Sequence, residues 1–138
     1  MAVENLANTG LALGTINSTS KKVFLLQQEI NMDTTPPTID SLDVVNSILV
    51  PSNATVLCVI LEVLVPADCT TSATLTVGCG ATSLISNLNV NRNFGVSSHS
   101  TTQVTVANAT TFITVTPTFS GTITKKGKYK LLAICAQL

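Results

Sequence analysis

Thr55-Val-Leu-Cys-Val-Ile-Leu-Glu-Val-Leu-Val65 is the stretch on which the reading of the fold turns. Its β-branched side chains have χ1 already restricted, so a pleated strand costs them little. Regular alternation sets Val56, Cys58, Ile60 and Leu64 on one face, interrupted by Glu62, and Leu57, Val59, Leu61, Val63 and Val65 on the other. A half-exposed strand alternates apolar with polar. A strand apolar on both faces needs cover on both, from a second layer or from another subunit. Pro51-Ser-Asn53 before it and Pro66-Ala-Asp68 after it are turn clusters that close the strand at each end.

Outward from this strand, the pattern repeats in weaker form. Thr70 to Cys79 alternates cleanly, with Ala73, Leu75, Val77 and Cys79 on one side, and Gly78-Cys-Gly80 marks a bulge or sharp bend. Val23 to Ile30, Leu84 to Val90, Gln103 to Ala107, Thr111 to Thr116, Thr118 to Thr124 and Tyr129 to Gln137 read as further strands. Ser41 to Val50 fits a strand or a short helix equally, and Asn91 to Ser100 reads as loop. Lys125-Lys-Gly-Lys128 is a tight connection with a glycine available for positive φ. Strands this short and evenly spaced, with no long helical pattern, predict an all-β fold, a jelly-roll-like β-sandwich. The sandwich spans residues 23–138. Residues 1–22 lack periodicity and read as an extended N-terminal arm. Val3, Leu6, Leu11, Leu13 and Ile16 are too sparse for a core of their own, so the arm is expected to dock on another chain.

Composition narrows the function. Charged residues make up 10% of the 138 residues, the formal net charge is zero, and the surface must be largely Thr, Ser and Asn. Free soluble proteins usually carry net charge, so this balance suits a subunit held in an assembly. All seven acids lie at or before Asp68 and five of seven bases after it, an asymmetry too small to predict nucleic-acid binding. No run approaches the ~18–20 apolar residues of a membrane-spanning helix. Met1-Ala-Val-Glu-Asn5 has no basic region, so general secretion is not expected. Without secretion, Cys58, Cys69, Cys79 and Cys135 are expected as free thiols, with Cys58 and Cys135 acting as small core hydrophobes.

Chemistry finds little to work with. His99, the one histidine, sits in Ser97-Ser-His-Ser-Thr101, and neighbours in a loop do not make a triad. Gly78-Cys-Gly80 has no basic partner to activate its thiol. Asp40, Asp43 and Glu62 form no carboxylate pair in a substrate-binding context, and no phosphate-binding glycine loop is present. No cofactor or metal site and no enzymatic activity are expected. Lys125, Lys126, Lys128 and Lys130 form the one charge cluster, which reads as a soluble hairpin tip guarding a sheet edge, or else as contact with an acidic partner. Asn17, Asn53 and Asn108 begin Asn-x-Ser/Thr triplets that the Asn- and Thr-rich composition produces by chance.

From residue 51 onward the order of features resembles small β-sandwich virion proteins of tailed bacteriophages. Pro51-Ser-Asn-Ala-Thr-Val-Leu-Cys-Val-Ile-Leu-Glu-Val63 leads into a long apolar strand, Thr74-Leu-Thr-Val-Gly78 precedes a bend, and Thr124-Lys-Lys-Gly-Lys-Tyr-Lys-Leu-Leu-Ala-Ile134 runs through a hairpin into the final strand. Lys128 and Lys130 depart from the usual form of that strand. The resemblance implies a virion structural protein made in the host cytoplasm, most simply a capsid decoration (cement) protein. It also implies a homotrimer partnered with proteins such as the major capsid protein; from charge and hydropathy, neither nucleic acid nor membrane is expected as a partner. The alternative is a tail or fibre module that binds a receptor or carbohydrate. The absence of Trp weighs against sugar stacking. The expected interface residues are Val3, Leu6, Leu11, Leu13 and Ile16 of the arm, with Leu57, Val59, Leu61 and Val63 of the long strand.

Overall fold

The deciding stretch is a strand, Ala54–Val65, but its two faces are not the two that regular alternation gives. The partner strand Lys128–Gln137 pairs Cys135 with Val56 and then Ile134 with Cys58, passing over Leu57. This bulge moves Ala54 and Val56 to the same inner side as Val59, Leu61 and Val63, and all five are buried. A second irregularity passes over Leu64, between Val63 and Val65. The outer side then carries Cys58, Ile60 and Glu62.

The computed structural model describes residues 3–8, 22–34, 38–106 and 109–137. In chain order the strands are β1 (Val3–Asn8), β2 (Val23–Asn31), β3 (Val44–Val50), β4 (Ala54–Val65), β5 (Asp68–Cys69), β6 (Ser72–Cys79), β7 (Thr82–Asn89), β8 (Ser97–Ser100), β9 (Val104–Val106), β10 (Thr111–Ser120), β11 (Ile123–Lys125) and β12 (Lys128–Gln137). One sheet runs β2-β12-β4-β8, with β9 continuing beside β4; the other runs β1-β3-β10-β6-β7. The chain changes sheet at almost every connection, β6–β7 being the one long hairpin, and β2 lies beside the last strand, β12. This is jelly-roll connectivity, which agrees with the fold class read from the sequence.

Ser41 to Val50 resolves as a tight turn at Ser41 and Leu42 followed by β3. The segment read as loop contains β8, whose Ser and His side chains give no hydrophobic signal but whose backbone pairs with Val59–Glu62. The two candidates spanning 111–124 are mostly one strand that continues through Pro117. Pro117 is tolerated because β3 has already ended beside it: its carbonyl accepts the Leu42 N–H at 2.7 Å, so its missing donor faces the same turn and not β6. Val3–Asn8 pairs in parallel with β3, so for these six residues the sandwich's own edge takes the place of the outside partner expected for the arm. Leu11, Leu13 and Ile16 lie outside the described residues.

Between the sheets, Leu26, Ile30, Ile48, Val56, Leu61, Leu75, Val77, Ile113, Val115 and Leu131 form a buried apolar core together with Tyr129. Each such side chain contributes about 1.5–3 kcal/mol by leaving water. The Tyr129 hydroxyl donates to the Lys126 carbonyl at 2.6 Å, and burial pushes its pKa well above the ordinary value. Gly127 (φ 100°) is required here, since a Cβ would stand 2.3 Å from the Tyr129 hydroxyl oxygen and 2.7 Å from the Val65 carbonyl oxygen.

Candidate interaction site

The residues singled out as chemical do not converge. His99 is exposed on β8 and Glu62 is exposed on β4; Cys79 ends β6 at the two-residue turn Gly80-Ala81 and is buried. Burial raises the thiol pKa of Cys79 and pushes that of Cys135 up to about 12, so neither is an activated nucleophile. Among the described residues no three His, Cys, Asp or Glu side chains gather where they could hold a metal ion, and no helix is long and apolar enough to cross a membrane. All four cysteines are free; Cys135 is core as expected, while Cys58 is only half-buried.

The lysine cluster divides among three jobs. The Lys126 ammonium holds the β2–β3 connection through the Ile39 carbonyl and, at 3.2 Å, Asp40. In return the Asp33 carboxylate accepts the backbone N–H groups of Lys126 and Gly127, at 2.8 and 3.0 Å. Lys128 pairs with Glu29 at 3.3 Å. Lys130 lies mid-sheet between Glu29 and Glu62 in the ladder.

What the fold offers a partner is surface, and its two broad faces differ. The outer face of the β1-β3-β10-β6-β7 sheet is hydroxylic: Thr74, Thr76, Thr114, Thr116 and Thr118 stand in register across β6 and β10, with Asn46 beside them. The outer face of the β2-β12-β4-β8 sheet is apolar at its centre. Cross-strand partners share a face, which orders this one into rows. Glu29, Lys130, Glu62 and Ser97 form a charged row; Gln27, Leu132, Ile60 and His99 form the next; Leu25, Ile134 and Cys58 follow. The four apolar residues Leu25, Ile60, Leu132 and Ile134 are half-buried. Of the expected interface residues, Val59, Leu61 and Val63 are turned into the chain's own core and are unavailable to a partner, and Leu57 is the half-buried bulge residue. The bulge is invisible in composition, so sequence reasoning chose the wrong parity. Leu25, Ile60, Leu132 and Ile134 were legible as apolar, but their facing was not.

A second apolar feature crosses one end of the sandwich. Leu42, Leu64, Val65, Phe94 and Ile123 are exposed, and all sit on or next to the connections β2–β3, β4–β6, β7–β8 and β10–β12, which meet at that end. Phe94 is 81% exposed, and Leu42 is 56% exposed in a left-handed conformation (φ 69°) that leucine rarely takes. The connections are braced from below. Asn91 pairs through its side-chain amide with both backbone groups of Cys69, at 2.8 and 3.1 Å, and Arg92 meets Asp68 at 2.6 Å.

No protein-family model matches the chain, and no curated protein matches it either. Solved structures do. A chain from the capsid of Ralstonia phage GP4 superposes with a TM-score of 0.67 at 16% identity, covering 99% of this chain and 99% of that one. A chain from the cyanophage Pam1 capsid asymmetric unit gives 0.61 at 19% identity, over 93% and 91%. A chain from the acidic stable capsid structure of Helicobacter pylori bacteriophage KHP30 gives 0.55 at 18% identity, over 84% and 87%. At these identities what is shared is the fold, along nearly the whole of each chain.

Proposed function

We propose that the protein is a structural, non-enzymatic component of a phage virion, and specifically a capsid decoration (cement) protein seated on the shell of major capsid protein. The observation that carries this is the end-to-end correspondence with a chain of the Ralstonia phage GP4 capsid, arm strand included, with no domain left over on either side. The surface chemistry supports it. Exposed apolar side chains that gather mark interaction sites; among the described residues Leu42, Leu64, Val65, Phe94 and Ile123 are exposed at the connection end, and no three metal-binding groups gather. In this reading the connection end bearing Phe94 and Leu42 faces the shell, and subunits associate with each other, as the homotrimer of the resemblance implies.

Purified virions of the encoding phage provide the test. Immunogold labelling or a particle reconstruction is expected to place the protein on the head at many copies. Copies confined to the tail would replace this reading with the tail or fibre alternative. Absence from the particle would end both.

A further inference from the structure

We infer that the outer face of the β2-β12-β4-β8 sheet is a self-complementary contact that pairs with the same face of a second copy about a two-fold axis running along the strands between β12 and β4. This rests on row order and not on the virion reading. The first row reads Glu29, Lys130, Glu62, Ser97 across the four strands. A two-fold axis through the middle of the sheet reverses the order in the second copy. Lys130 of each copy then stands over Glu62 of the other, and Glu29 over Ser97. The second row, Gln27, Leu132, Ile60, His99, reverses to set Leu132 over Ile60 in both directions, with Gln27 and His99 meeting at the flanks. In the third, Ile134 stands over Cys58. Every central apolar residue meets an apolar one, and every central charge meets its opposite.

Few other occupants fit as well. The face is neutral, with Lys128 and Lys130 balancing Glu29 and Glu62, so it has no charge to attract a strongly acidic or basic partner. Its charged side chains, Glu29, Lys128, Lys130 and Glu62, gather at one end of the face, so a partner must carry matching charges in register, which this face itself does. Four strands at ~4.8 Å spacing and some eight residues at ~3.3 Å rise give a footprint of roughly 500 Å² per copy, about 1,000 Å² in all. That meets the lower limit of a specific contact. Two twisted sheets stacked this way pack in the aligned arrangement, about 10 Å apart. The contact is isologous, so it doubles a monomer, and it doubles a trimer when its two-fold axes lie perpendicular to the three-fold.

Charge reversal followed by mixing tests the contact. Lys130→Glu sets carboxylate against carboxylate across the axis, and Glu62→Lys sets ammonium against ammonium. Analytical ultracentrifugation of each variant alone is expected to show the wild-type species halved in mass, its association weakened at least about tenfold. An equimolar mixture of the two variants restores both pairs. The introduced carboxylate of one variant meets the introduced ammonium of the other, and the unaltered Glu62 and Lys130 meet as before. The mixture is expected to recover the wild-type mass. Mixing repairs contacts between chains only, so recovery separates the interface from any loss of the Lys130–Glu62 pairing within a chain. Circular dichroism confirms that each variant is folded. Variants that associate like wild type, or a mixture that stays dissociated, overturn the proposal. So do variants with wild-type mass that lose particle binding, which would hand the face to another virion protein. Failure here leaves head attachment to be judged separately by the particle experiment.

Discussion

The two outer faces of this sandwich are built on strands of similar length and similar β-branched content, yet one is coated with threonine and the other with leucine and isoleucine. On β6 and β10 the inward residues are Leu75, Val77, Ile113 and Val115 and the outward ones Thr74, Thr76, Thr114 and Thr116. Threonine keeps the β preference of valine while giving a hydroxyl to water. On β4 and β12 the central outward positions Ile60, Leu132 and Ile134, next to Cys58 and the Lys130–Glu62 row, satisfy the strand equally well and leave water unsatisfied. The fold therefore does not require the apolar face. A face that the fold does not require and that solvent disfavours points to association.

The sharpest way to separate the two sides of β4 is to truncate neighbours. Leu61→Ala empties a fully buried core position and is expected to cost about 2–5 kcal/mol in urea denaturation. Ile60→Ala, one residue away on the outer side, is expected to cost the isolated subunit under about 1 kcal/mol and to act on association instead. Equal losses at both sites would mean that the outer face is covered within the chain.

A smaller effect is expected from alkali. Burial raises the pKa of Cys135 to about 12, and those of Cys79 and Tyr129 also upward. Each folded-state value lies above its unfolded one, so the folded protein holds these protons longer. Their contribution is complete below about pH 9 and is lost as pH rises through the folded values, with a slope approaching about 1.4 kcal/mol per pH unit for each group in its window. Denaturation midpoints compared at pH 8 and pH 10.5 measure this. A stability that is flat or rising over that interval contradicts the dry inner side.

The cysteines report on the same contrast by rate. Of the four, Cys58 alone is not buried, and it lies on the apolar outer face. A maleimide is expected to modify Cys58 before the other three, and more slowly as protein concentration rises and the face is covered. Labelling that does not depend on concentration counts against self-pairing. The smallest expected change is at the connection end. Leu42→Gly relieves a left-handed leucine and is expected to raise stability by up to about 1 kcal/mol. In the shell-facing reading it also lowers attachment to particles; unchanged attachment separates Leu42 from that surface.

Much of the architecture was legible because alternation, prolines and glycines report it directly. β6 kept the apolar side that alternation gave it, Cys135 of β12 is buried as expected, and Gly127 took its positive φ. What escaped was set by pairing and not by side-chain type. The Leu57 bulge exchanges the faces of β4 through a register shift with β12, and nothing in Thr-Val-Leu-Cys-Val announces it. β8 exists because β4 has a free edge, and β1 because β3 has one. The surface site was illegible for the same reason: its rows are made by the register of four strands distant in sequence.

The closing of β12 against β2 brings the Gln137 N–H to the Lys22 carbonyl at 2.8 Å, so β2 starts and β12 finishes at one corner. That corner lies at the same end as the Gly80-Ala81 turn and opposite the Phe94 connections. The exposed side chains of Leu42, Phe94 and Ile123 thus lie at one end of the sandwich, and the start of β2 and the finish of β12 lie at the other.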